Sequence, residues 1–193
     1  MNLPNKLTTL RIFLIPVFLI VVLGNWNLGN IAILGTNIEW TQVIGAIIFA
    51  FASITDWLDG YIARKRHLVT NFGKFADPLA DKMLVMAAFI VLVQQGLVAG
   101  WIVVVIVCRE LAVTGLRLLI VEHDGEVLAA AWPGKIKTAT QMLAIILLYL
   151  NNVLFNNIHI PMAMILLYTC LFFTIYSGID YFWQNREVFK DSY

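Results

Sequence analysis

Six long apolar runs dominate this chain and leave it few ways to fold in water. They extend from Leu7 to Gly24, Trp40 to Thr55, Leu79 to Gln94, Leu97 to Leu119, Ile136 to Leu154 and Ile160 to Phe182. Runs of this length and apolarity read as membrane-spanning helices. Composition supports the exclusion: 61% of the 193 residues are hydrophobic and 13% charged, against about half and a quarter in soluble domains. A net charge of +1 offers no general attraction for nucleic acid. Two cysteines cannot staple a secreted scaffold, and Cys108 and Cys170, each within an apolar run, are expected to be buried structural thiols.

Lysine and arginine fix the expected orientation. Lys6 and Arg11 flank the first run; Arg64, Lys65, Arg66, Lys74 and Lys82 surround the second connection; Arg117, Lys135 and Lys137 surround the fourth; Arg186 and Lys190 follow the last. The remaining connections, 25–39, 95–96 and 155–159, carry none. The positive-inside rule then places both termini in the cytoplasm, with Trp26, Trp40 and Trp101 in an aromatic belt at the opposite interface. Lys6 and Arg11 ahead of an apolar stretch mimic a signal peptide, but no small-residue cleavage site follows, so the segment is expected to be retained. Pro4, Asn5 and Thr8 suggest a short interfacial helix before the first span. Without repeats, low-complexity tracts or linkers, residues 1–193 read as one domain: an all-α integral membrane protein of six transmembrane helices.

The acidic residues carry the chemistry. A helix rising 1.5 Å per residue from Trp40 covers roughly 24 Å by Thr55, short of a ~30 Å hydrocarbon core, which puts Asp56 near the cytoplasmic edge. Continued at ~100° per residue, that helix gathers Asp56, Asp59, Gly60, Ala63 and Arg64 within an arc of roughly 140°. Asp77 and Asp81 share a face of the next helix, and Pro78 between them suggests a start close to Gly73. Antiparallel neighbours joined by a short turn would bring the four carboxylates together. Such a cluster needs positive charge, and oxygen ligands alone select a hard cation, Mg²⁺ or Mn²⁺, of which a pair suits displacement at phosphorus. Small Gly60 and Ala63 admit a large ligand, and Arg64 can pair with its phosphate. The blander alternatives are a turn at Asp59-Gly60, solvated helix ends for the aspartates, and a membrane anchor for Arg64, Lys65 and Arg66. His67, His123 and His159 form no ligand cluster, and Asp180 reads as structural or interfacial.

Asp56-Trp-Leu-Asp59-Gly60-Tyr-Ile-Ala63-Arg64, eight further residues, then Gly73-Lys-Phe-Ala-Asp77-Pro-Leu-Ala-Asp81 resembles the full signature of the CDP-alcohol phosphatidyltransferases. The resemblance implies that Asp56, Asp59, Asp77 and Asp81 hold two divalent cations and that Asp81 is the catalytic base. It also implies that Asp56, Gly60, Ala63 and Arg64 hold the CDP part of the donor, and that the protein is a homodimer. Pro4-Asn5-Lys-Leu-Thr8, Arg109-Glu110-Leu, Gly115-Leu-Arg117 and Gly134-Lys135-Ile-Lys137-Thr138 resemble those members that transfer a phosphatidyl group from CDP-diacylglycerol to sn-glycerol 3-phosphate. Arg109, Arg117 and Lys135, at cytoplasmic helix ends, are the candidates for the acceptor phosphate, and Lys137 reads as an anchor. Serine, inositol phosphate or phosphatidylglycerol are the competing acceptors. A metal or proton transporter is the alternative of another class, but it would place acids at the bilayer midplane and not at one face.

Overall fold

The computed structural model describes residues 3–66, 71–122 and 132–186, with side chains described at 6–56, 79–120 and 132–186. The described residues form α1 (Leu3–Leu23), β1 (Asn30–Ile33), β2 (Thr36–Glu39), α2 (Trp40–Arg66), α3 (Asn71–Gln94), α4 (Gly100–Glu122), α5 (Trp132–Tyr149), α6 (Val153–Asn156) and α7 (Met162–Gln184). Each of the six apolar runs lies largely within one long helix. α1 and α7 are each long and apolar enough to cross a membrane, and Trp40–Asp56 is a shorter apolar segment.

Helix ends depart from expectation for local reasons. The separate interfacial helix does not form, because α1 runs unbroken from Leu3. Pro4 sits in its first turn, where a missing N–H costs nothing, and no breaker follows before the apolar stretch. α3 begins at Asn71, two residues ahead of Gly73, so Pro78 is its eighth residue and lies past the first turn. α5 stops at Tyr149 and does not continue to Leu154. Asn151 and Asn152 there take φ of 50° and 54°, left-handed values that asparagine tolerates better than most residues. The N–H groups of Asn151 and Asn152 close onto the carbonyls of Leu148 and Leu147 at 3.1 and 2.8 Å, a Schellman-type stop. Gly96, at φ 73°, ends α3 the same way. The hairpin β1–β2 was not expected; Asn30 pairs with Glu39 and Ile33 with Thr36 around a Leu34-Gly35 turn whose φ values, 47° and 80°, are both positive.

The helices pack around one apolar core, with α1 against α2 and α3, α5 against α7, and α4 against α7. Phe18, Phe49, Phe89, Ile102, Ile145, Tyr149 and Leu167 fill it, and Phe18 meets Tyr149 edge-to-face at 5.6 Å. The Tyr149 hydroxyl donates to the Ala88 carbonyl at 3.0 Å, so the buried phenol ties α5 to α3. Large apolar side chains also line the outside: Phe13 and Ile20 on α1, Ile47, Phe51 and Ile54 on α2, Val104, Leu111 and Leu118 on α4, Phe172 and Ile179 on α7. Stripes of this kind recur on successive helices and give the bundle an apolar outer surface. Cys170 is buried as expected, whereas Cys108 is exposed, because its place on α4 lies on the outer surface and not in the core.

Candidate active site

A cavity of about 240 Å³ opens between α2, α3, α4 and α5. Asp56 comes from α2; Asp81, Lys82, Val85, Met86 and Phe89 from α3; Glu110 and Arg117 from α4; Lys137, Thr138 and Gln141 from α5. The amphipathic register of each helix delivers these residues. On α5, Lys137, Gln141, Ala144, Ile145 and Leu148 are buried at helical spacing, so the stripe that fills the core carries two polar residues into the cavity. α3 presents Asp81, Val85 and Phe89 four residues apart.

Asp56 and Asp81 converge on a residue outside the expected set. Arg11 of α1 is fully buried, and its Nη1 lies 3.0 Å from Asp56 Oδ1 and 2.7 Å from Asp81 Oδ1. Two carboxylates from α2 and α3 thus share one nitrogen of a guanidinium on a third helix. The signal was present in α1: Thr8, Arg11, Ile15, Phe18 and Val22 are its buried stripe, and Arg11 is the charged residue on it. Asp59, Gly60, Ala63 and Arg64 lie on α2, and Asp77 on α3, but their side chains are outside the described residues. Backbone position leaves Asp59 about one turn beyond Asp56 and Asp77 one turn before Asp81.

Cations also line the cavity. Lys137 donates to Glu110 Oε1, and Arg109 Nη1 meets the same oxygen at 3.0 Å. Lys82 donates to the Thr114 hydroxyl, which in turn donates to the Glu110 carbonyl at 2.6 Å. Arg117 lies over the Tyr181 ring at 5.5 Å. Glu110 offsets part of the charge of Lys137 and Arg109, while the partners of Lys82 and Arg117 are neutral, so this wall stays net positive. Of the three cations expected to gather around a phosphate, Arg117 lines the cavity. Arg109 and Lys135 do not: Arg109 Nη2 donates to Ser177 Oγ on α7 at 2.9 Å, and Lys135 lies over the Trp132 ring at 5.3 Å. Lys82 and Lys137, the latter 6% exposed, take the places beside Arg117. Their common wall comes from α3, α4 and α5 and leaves no trace in any one stretch of sequence.

A carboxylate pair and a cluster of cations lining one small cavity suit a ligand with both a hydroxyl to be activated and a phosphate to be held. The all-oxygen donors of Asp56 and Asp81, already shared by a cation, fit a hard divalent ion. Among the described residues, no group of three or more potential ligands gathers at one point. Asp59 and Asp77 would have to complete the set.

Residues 1–176 match the CDP-alcohol phosphatidyltransferase family. The chain is 51% identical over 191 residues to the CDP-diacylglycerol–glycerol-3-phosphate 3-phosphatidyltransferase of Bacillus subtilis, covering 99% of this chain and 98% of that protein. It is 38% identical to a probable phosphatidylglycerophosphate synthase of Mycobacterium tuberculosis, over 93% of this chain and 79% of the relative. Identity to a CDP-diacylglycerol–glycerol-3-phosphate 3-phosphatidyltransferase of Haemophilus influenzae is also 38%, over 93% and 91%.

Proposed function

The chain belongs to the CDP-alcohol phosphatidyltransferase family, and from that premise we propose that it transfers the phosphatidyl group of CDP-diacylglycerol to sn-glycerol 3-phosphate, giving phosphatidylglycerophosphate and CMP. The observation that carries the reading is the cavity itself, which is lined by both Asp56 and Asp81 and by Lys82, Arg117 and Lys137. A glycerol phosphate presents a hydroxyl and a phosphate dianion a few bonds apart, and this cavity supplies a partner for each.

In this mechanism Lys82, Arg117 and Lys137 hold the acceptor phosphate by charge-assisted hydrogen bonds, which fix the orientation of the hydroxyl. Asp81 takes the hydroxyl proton as the oxygen attacks the β-phosphorus of the donor. The new P–O bond forms as the bond to CMP breaks, and CMP leaves with the electron pair. Gly60 and Ala63, small residues on α2, allow the donor close to the backbone, and Arg64 pairs with its phosphates. Asp56, Asp59, Asp77 and Asp81 would hold two divalent cations, Mg²⁺ or Mn²⁺, which supply charge neutralisation at phosphorus.

The same reading makes the protein a homodimer by family resemblance, and a six-span membrane enzyme with cytoplasmic termini and a cytoplasmic active site. Supporting it are the apolar stripes on the outer faces of the helices, and the lysines and arginines concentrated at the end of the helices that carries the cavity. The test is incubation of the purified protein in lipid vesicles with CDP-diacylglycerol and one acceptor at a time. CMP and an anionic lipid should form with glycerol 3-phosphate and divalent cation. Turnover with serine, inositol phosphate or phosphatidylglycerol in its place would overturn the acceptor assignment.

A further inference from the structure

We infer that Arg11 is a built-in counter-ion that holds Asp56 and Asp81 together before a divalent cation arrives, and that cation and guanidinium compete for these two carboxylates. The inference rests on the reading of the aspartates as a metal site. Its physical basis is the geometry of one atom: Nη1 of Arg11 lies within 3.0 Å of a carboxylate oxygen from α2 and within 2.7 Å of one from α3. Two carboxylates so close would repel if nothing positive lay between them, and the repulsion is stronger where water is scarce. Arginine suits the position because its guanidinium keeps its charge in any protein environment. Its stem lies on the buried stripe of α1, fully screened from solvent, so the head is delivered by packing and does not reach in from the surface.

The arrangement has two opposite effects. Without a metal, Arg11 gives α2 and α3 a common partner on α1 and keeps the carboxylates converged. With a metal, every oxygen lone pair committed to Nη1 is one the cation must share or displace, and the buried positive charge repels it. Arg11 is therefore a positioning residue that lowers metal affinity while preserving the shape of the empty site. Removing its charge should tighten metal binding, an outcome that loss of a merely structural contact would not produce.

The test is Mn²⁺ binding to purified, substrate-free protein, read from the electron paramagnetic resonance signal of unbound Mn²⁺, together with thermal melts in Mn²⁺ and in EDTA. Arg11→Met should bind Mn²⁺ about tenfold tighter than wild type, the equivalent of one charge-assisted contact. Arg11→Lys, which keeps the charge, should stay near wild type. The melting temperature of Arg11→Met should fall further in EDTA than in Mn²⁺. Equal or weaker Mn²⁺ binding by Arg11→Met, or an equal fall in both conditions, would overturn the inference. If Arg11→Met does not fold, Arg11→Gln replaces it, since it keeps hydrogen-bond donors without the charge, and it too must bind Mn²⁺ more tightly. Failure of wild type to bind Mn²⁺, or binding that survives Asp56→Asn with Asp81→Asn, would overturn the metal reading and this inference with it.

Discussion

Arg109 on α4 donates from Nη2 to the Ser177 hydroxyl of α7 at 2.9 Å, and the glycine that follows Ser177 gives it passage. A Cβ on Gly178 would lie 3.1 Å from Arg109 Cγ. The guanidinium is thus part of the α4–α7 contact, not of the cavity wall. Gly178→Val should destabilise the protein by about 1–3 kcal/mol, the usual cost of overpacking. Arg109→Gln should lower thermal stability and raise the KM for glycerol 3-phosphate less than Arg117→Gln does. Melts and steady-state kinetics on the same preparations measure both, and a larger KM effect at Arg109 would return it to the acceptor site.

Arg117 and Lys137 should behave as acceptor-phosphate ligands. Loss of one charge-assisted contact predicts a rise of about ten- to a hundredfold in the KM for glycerol 3-phosphate in Arg117→Gln and Lys137→Gln. The KM for CDP-diacylglycerol should change little in either variant. Arg64→Ala should show the reverse pattern. Varying both substrates on the three mutants distinguishes the sites, and equal losses for donor and acceptor would remove the cationic wall from acceptor binding.

Asp81→Asn should fold and bind donor but turn over about 10²-fold or more slowly, because a general base commonly contributes 10²- to 10⁴-fold. Near-normal turnover would exclude Asp81 as the base. Lost Mn²⁺ binding in the same variant would instead make it chiefly a metal ligand.

Gly45 of α2 packs tightly against α1: a Cβ there would meet Val22 Cγ2 at 2.6 Å. Small residues permit such approach between helices in lipid. Gly45→Val should cost about 1–3 kcal/mol by forcing the two helices apart. Thermal unfolding in detergent checks this, and an unchanged melting temperature would mean that the interface can relax freely.

Much of the architecture was legible in one dimension. Long apolar runs favour helices because a helix pairs its own backbone groups as they leave water, and all six runs lie largely within long helices. Asp56 with Asp59, and Asp77 with Asp81, are one turn apart, so their common faces follow from helical periodicity alone. Helix ends were less legible: the stop at Asn151 depends on left-handed backbone, and the Leu34-Gly35 hairpin joins two four-residue strands within a short connection of mixed polarity.

Tertiary structure decided which charges meet. Arg11 and Lys137 look like membrane anchors when read along the chain, because basic residues near helix ends commonly serve that purpose. Packing instead rotates Arg11 onto the buried stripe of α1, between carboxylates 45 and 70 residues away, and turns Lys137 inward toward Glu110 on α4. Arg109, whose motif pointed to the acceptor, is carried to Ser177 on α7. The helical repeat determines which residues of one helix share a face, whereas the partner of a charge depends on how neighbouring helices are rotated and spaced. Side-chain volumes across the whole core set that rotation and spacing.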